Sequence, residues 1–152
     1  MTGISKAGHF LFMKTDRYFI IDFDSTFVKV EALDELAEIS LKAHPGKEAL
    51  CAQIRGLTDA AMNGVLTFPV SLSKRVALLN ADKSHIEKLV KKLNKKVSQS
   101  VTTNKDFFRK YAANIIVVSG GFKEYIIPVV SRFGIPAKNV YANSFVYNTK
   151  GK

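Results

Sequence analysis

The segment Asp22-Phe23-Asp24-Ser25-Thr26 places two carboxylates one residue apart at the end of an apolar run. While a backbone stays extended its side chains repeat with period two, so Asp22 and Asp24 are expected on one face. Two anions held together at a dry strand end resist ionisation unless a cation neutralises them, and hard carboxylate and carbonyl oxygens suit Mg²⁺. Beside such a cation, one carboxylate is able to attack phosphorus as a nucleophile. The other is then placed to give a proton to a departing alkoxide and afterwards to activate water. Standing alone, the pair has a blander explanation, because acids at strand ends commonly cap turns and helices.

A second cluster, Ser119-Gly120-Gly121-Phe122, follows the apolar run Ile115-Ile116-Val117-Val118. A hydroxyl and glycine-exposed N–H groups at a helix start make a cradle for phosphate. Glycine pairs also occur in ordinary strand-to-helix turns. The stronger observation is that both clusters close the same kind of strand, with a helical stretch between them.

The elements that must position these clusters follow from the pattern around them. Residues 18–23 and 114–119 read as buried strands, each running into small polar residues, which suggests a parallel sheet with its ligand site at the strands' carboxyl ends. After Gly121, the spacing of Tyr125, Ile126, Val129, Val130 and Phe133 predicts a helix that Gly134 and Pro136 stop. Residues 140–142 and 145–147 read as further short strands, followed by a turn at 148–151. Between the two clusters, helical periodicity predicts helices over 33–43, 47–62, 71–79 and 84–97, the last opened by a capping box of Ser84 and Glu87. The expected fold class is therefore α/β: a core of residues 1–32 and 100–152, with an all-α cap, 33–99, inserted after the first core strand. An insert at that point is well placed to cover a site at the strand's end.

A chain of 152 residues with 47% hydrophobic content is long enough to bury a core, which argues against disorder. No run approaches the roughly 18 apolar residues of a membrane span, and Phe10-Leu11-Phe12-Met13 is too short for a secretory segment. A cytoplasmic protein with no membrane partner is expected. The single Cys51 forms no internal disulfide and is expected to be a buried, inert thiol. The net charge of +10 is concentrated between Leu72 and Lys110, where eleven Lys and Arg face three acids. There Ile86, Leu89, Val90 and Leu93 form an apolar helix face with lysines opposite. No aromatic residue interleaves with those lysines to stack on bases, so a solvated basic face and no nucleic-acid partner are expected.

Taken in order, the motifs become specific. Asp22-Phe23-Asp24-Ser25-Thr26 with Glu31 comes first, then Leu57-Thr58, Ala61-Met62-Asn63-Gly64, Leu66-Thr67-Phe68 and Ser71-Leu72. Arg75-Val76-Ala77-Leu78-Leu79 and Val117-Val118-Ser119-Gly120-Gly121-Phe122 complete the series. From about Tyr18 onward this resembles the phosphoserine phosphatase family of the haloacid dehalogenase superfamily. The resemblance implies a Rossmann-like core and a Mg²⁺-dependent phosphatase working through an aspartyl-phosphate, with a small phosphorylated amino acid as partner in the last step of serine synthesis. It also implies that Asp22 is nucleophile and metal ligand, and that Asp24 is general acid/base with its carbonyl on the metal. Ser119 and Gly120 would hold phosphoryl oxygens. Glu31 would receive the substrate ammonium and Arg75 its carboxylate, while Met62 and Phe68 would close over the substrate. Glu31 and Arg75 otherwise read as surface charges, and Met62 and Phe68 as ordinary packing.

The chain also departs from the family pattern. The family uses a later lysine on the phosphate and a Gly-Asp-Gly loop that completes the metal site. After Ser119 this sequence has only the acid Glu124, and Lys138, Lys150 and Lys152 come too early in order. The expectation is a core incomplete at its C-terminus, with weak turnover and an open sheet edge prone to self-association. A shortened, inactive module of the same fold, binding a phosphorylated ligand or a protein partner, is the alternative.

Overall fold

The computed structural model describes residues 17–149; the N-terminal apolar run, Lys150, Gly151 and Lys152 lie outside the described residues. Three parallel strands form the sheet: β1 (Phe19–Ile21), β2 (Ile115–Phe122) and β3 (Val140–Asn143), in the order β1-β2-β3. Phe19 pairs with Ile115 and Ile21 with Val117, and Val117 pairs in turn with Val140. Parallel strands need crossover connections, and helices supply them. These are α1 (Ala32–Ser40), α2 (Lys47–Met62), α3 (Phe68–Leu78), α4 (Lys83–Asn94), α5 (Gln99–Thr103) and α6 (Lys105–Lys110) before β2, and α7 (Lys123–Val130) after it.

The sheet buries one face. Ile115 and Val117 are fully buried there, together with Tyr125, Ile126, Val129 and Val130 from α7 and Leu89 and Leu93 from α4. Phe19 packs edge-on against Phe107 of α6, with ring centroids 5.0 Å apart. Period two sends the alternate residues the other way. Ile20, Val118 and Tyr141 are accordingly 73%, 47% and 60% exposed, so that face stays open among the described residues.

Helix α4 packs against both α1 and α7, while α2 packs on α1 and α3. Lys92 pairs with Glu35 across α1 and α4. The helical segment is thus tied to the sheet at one end and reaches away through α2 and α3 at the other. At the N-terminus of α4 the expected Ser84 capping box does not form. Asp82 accepts instead from the Ser84 and His85 N–H groups at 2.8 and 3.1 Å, and the His85 ring answers on the Asp82 N–H. A carboxylate is the stronger acceptor for those unpaired donors.

Two strand expectations are also corrected. β2 continues extended through Ser119, Gly120 and Gly121 to Phe122, with an irregular register against β3 between Val118 and Phe122, so the glycines lie inside a bulged strand end. Residues 145–147 form no strand. Phe145 instead stacks on Phe122 with ring centroids 3.8 Å apart. Gly134 takes φ +83° and ends the helical run after Phe133, the left-handed stop expected of it. Cys51 is buried, and burial together with the Glu38 carboxylate pushes its thiol pKa up, which disfavours the thiolate.

Candidate active site

Beyond β1 the chain turns sharply through Phe23–Phe27, closed by the Val28 N–H donating to the Phe23 carbonyl at 3.0 Å. Phe23 and Phe27 anchor this turn in the core and stack on each other, which pushes the polar residues outward. Ser25 takes φ 53°, a left-handed value that a non-glycine residue adopts only when its surroundings hold it there. The hold is visible: its hydroxyl donates to Glu31 Oε1 at 2.7 Å and its N–H to the Val30 carbonyl at 3.3 Å. Asp24 Oδ1 accepts from the Ala32 N–H at 2.7 Å, at the start of α1, and Asp22 Oδ1 accepts from the Phe23 N–H at 2.7 Å.

The strand end of β2 lies opposite. Ser119 donates to Asp24 Oδ2 at a long 3.4 Å, and the Gly121 N–H donates to Ser119 Oγ at 2.9 Å. Asn143, on β3, donates from Nδ2 to the Gly120 carbonyl at 2.9 Å and so fixes that peptide plane. The two sequence clusters therefore meet directly, through Ser119 and Asp24.

A cavity of about 350 Å³ opens at this junction, walled by Asp22, Asp24, Glu31, Met62, Phe68, Arg75 and Gly120 among others. Every candidate residue of the sequence reading except Ser119 lies on that wall, and Ser119 touches it through Asp24. Phe68, at the start of α3, crosses over the strand end. A Cβ on Gly120 would stand 2.5 Å from the Phe68 ring, so a glycine is needed for the ring to lie there. Met62 and Phe68 remain 83% and 48% exposed, placing them at the mouth. A side chamber of about 190 Å³ shares Glu31, Met62, Phe68 and Arg75 and extends along Thr58 and Ala61.

The electrostatics of the cavity are unbalanced. Burial pushes the Asp24 carboxyl from 3.8 up to about 6; the Ala32 N–H opposes the rise, and the charges of Glu31 and Asp22 add to it. Arg75 is only 6% exposed, far more buried than an arginine usually is. Its Nη1 donates to Thr58 Oγ1 at 3.1 Å, the Thr58 hydroxyl donates onward to the Ile54 carbonyl at 3.3 Å, and among the described residues Arg75 Nε is buried without a partner. Among the described residues no carboxylate forms an ion pair with Arg75. Asp34 acts on it at longer range: burial raises the Asp34 pKa, Glu31 adds to the rise and Arg75 opposes it.

Sequence reasoning passed over Asp34, Thr58 as the support of Arg75, Asn143 and Tyr125. Thr58 stands inside a motif it did use, Leu57-Thr58, and Asp34 lies three residues beyond Glu31. Asn143 and Tyr125 carried no local signal, since both reach the site only through tertiary packing.

The oxygen donors here are of the kind a hard divalent cation takes. They are few: among the described residues no group of three His, Cys, Asp or Glu side chains converges as a metal site. The residues present fit a cation that stays largely hydrated.

This chain is similar to phosphoserine phosphatase of Drosophila melanogaster, 29% identical over 131 residues that cover 86% of this chain and 46% of that protein. It shares its fold with a phosphoserine phosphohydrolase-like protein of Francisella tularensis subsp. tularensis SCHU S4, at TM-score 0.76 and 28% identity over 90% of this chain and 62% of that one. A phospho-aspartyl intermediate analogue of phosphoserine phosphatase superposes at TM-score 0.71 and 28% identity, over 91% of this chain and 61% of that one. No family model matches the chain. The chain spans about half the length of the curated relatives it matches.

Proposed function

We propose that this chain carries the nucleophile, the phosphate hook and the substrate pocket of a phosphomonoester hydrolase similar to phosphoserine phosphatase, with L-phosphoserine as its substrate. The observation that carries the reading is the buried Arg75 guanidinium, held by Thr58 but with no ion-pair partner among the described residues, in the same cavity as Asp22, Asp24 and Glu31. A buried cation without a counter-ion is costly unless a ligand supplies one. A ligand with a carboxylate for Arg75, an ammonium for Glu31 and a phosphate for the strand ends answers all three demands at once.

In this reading an Asp22 carboxylate oxygen bonds to phosphorus as the ester P–O bond breaks, and the leaving serine oxygen takes its proton from Asp24. Burial favours the protonated Asp24 that this step requires. Water then adds to phosphorus, Asp24 accepts its proton, and the aspartyl–phosphate bond breaks to free inorganic phosphate. The Ser119 hydroxyl and the Gly120 backbone hold phosphoryl oxygens, and Phe68 and Met62 keep bulk water away. Asp22 and the Asp24 carbonyl would hold Mg²⁺, which when bound neutralises charge on the phosphoryl group. The phospho-aspartyl analogue of a similar protein supports Asp22 as the attacking group.

Among the described residues of the cavity wall Arg75 is the one cation, and it belongs to the substrate carboxylate. Phosphoryl transfer depends on charge neutralisation, so turnover by these 152 residues is expected to be slow. The test is magnesium-dependent release of phosphate from L-phosphoserine, with acid trapping of a phosphorylated Asp22 that Asp22→Asn abolishes. Rapid turnover by this chain alone sinks the expectation of slowness. Absence of both release and trapped phosphoenzyme sinks the reading.

A second reading has its own support. Among the described residues, the open sheet face bearing Ile20, Val118 and Tyr141, next to an outer edge of β1 that no described strand pairs, favours a module that associates with another copy of itself. Sedimentation that returns a monomer at high concentration rules it out.

A further inference from the structure

We propose that Tyr125 supplies a second hydroxyl to the catalytic cavity, donating a hydrogen bond to an oxygen of the phosphoryl group bound there. This rests on the reading of the cavity as a phosphoryl site. Tyr125 stands on α7, one turn beyond the strand end of β2, and is fully buried. Its ring fills the core beside Phe23 and Phe122, at centroid distances of 6.1 and 6.2 Å. A phenylalanine would pack in the same way. The hydroxyl therefore needs a separate explanation, because it is buried and, among the described residues, finds no acceptor for its proton. Buried hydroxyls are normally satisfied, and one that is not lowers the stability of the fold.

Its location supplies the explanation. Tyr125 lines the same cavity as Asp22, Asp24, Gly120 and Gly121. A Cβ on Gly121 would stand 2.4 Å from the Tyr125 oxygen and 3.2 Å from Ser119 Oγ, so both hydroxyls converge on the bare Cα of that glycine. Gly121 is thus the gap through which Tyr125 reaches the strand end. The roles of the two hydroxyls differ. Ser119 already directs its proton toward Asp24 and accepts the Gly121 N–H. The Tyr125 proton is uncommitted.

The phenol is also in the right state to donate. Burial drives its pKa well above 10, and the nearby Asp24 charge pushes the same way, so it is a neutral O–H throughout the working range. The Phe122 N–H, directed at the phenol oxygen from outside ordinary hydrogen-bond geometry, opposes the rise; it engages that oxygen as an acceptor and leaves the phenol proton without one. An anion entering between Asp22 and Gly120 gives the phenol an acceptor that no described protein atom supplies.

The experiment titrates orthovanadate, a five-coordinate mimic of the transferring phosphoryl group, in magnesium buffer against the full chain and Tyr125→Phe. Thermal melting is read in parallel. Removing one neutral hydrogen bond is expected to weaken vanadate binding about tenfold, while the melting temperature stays level or rises because an unsatisfied group has gone. Equal affinity in the two proteins overturns the inference and leaves the phosphoryl-site reading standing. A lower melting temperature for Tyr125→Phe overturns it as well, since the hydroxyl would then have a partner within the fold. If the unmodified chain binds no vanadate, the phosphoryl-site reading falls and takes this inference with it.

Discussion

Replacing Arg75 by methionine keeps most of the side-chain volume and removes the charge, so it separates recognition from packing. In the free protein the exchange deletes the hydrogen bond to Thr58 Oγ1. That loss is worth about 1 kcal/mol, and the exchange also removes a buried cation whose Nε lacks a partner. The two effects oppose each other, so stability should change little. Binding is different. Hydrogen bonds between a guanidinium and a carboxylate contribute about 1.5–3 kcal/mol each, and losing one weakens L-phosphoserine about 10- to 150-fold. O-phosphoethanolamine keeps the phosphate and the ammonium but has no carboxylate, and should lose less than about threefold, within the spread of ordinary surface changes. Calorimetric titration of both ligands against both proteins reads this without requiring turnover, and KM values read it where turnover is measurable. Parallel losses for the two ligands would refute the assignment of Arg75 to the carboxylate, since the residue would then support the cavity generally. A loss for neither would refute the placement of the ligand in this cavity.

Gly120→Ala puts a methyl group 2.5 Å from the Phe68 ring, so the ring must swing out; L-phosphoserine affinity should fall at least tenfold with little loss of melting temperature, because Phe68 is already half exposed. Asp82→Ala should lower the melting temperature by removing the cap of α4, with a pH dependence of definite sign. The Ser84 hydroxyl and the nearby N–H groups hold the Asp82 pKa below its usual 3.8, so its contribution is present above that value and disappears as pH falls through the depressed one. The gap between the two melting curves should therefore be constant near neutrality and close in acid; a gap that widened in acid would contradict the cap.

The residues proposed for the chemistry were readable as two clusters because their pattern is local. Two aspartates at period two after an apolar strand, and a serine before two glycines after another, mark strand ends whatever surrounds them. Readability failed where a residue's role depends on what the chain brings to it from elsewhere. Residues 145–147 have good strand propensity, yet Phe145 stacks on Phe122 instead of joining the sheet, leaving Val146 at 96% exposure. Ser84 and Glu87 match a capping box, but Asp82 two residues earlier offers a charged acceptor to the same N–H groups. Tyr125 sits at a core position of its helix by spacing, and only the missing Cβ of Gly121 reveals that its oxygen reaches the cavity. The same dependence explains the imbalance of the site. Asp22, Asp24 and Glu31 gather negative charge at one wall, and Arg75, held by Thr58 from the neighbouring helix, places an unpaired cation at the other. Neither wall is settled by the fold, and a ligand carrying both signs of charge would settle both. That is a physical reason to look for a zwitterionic phosphoester before a simple one.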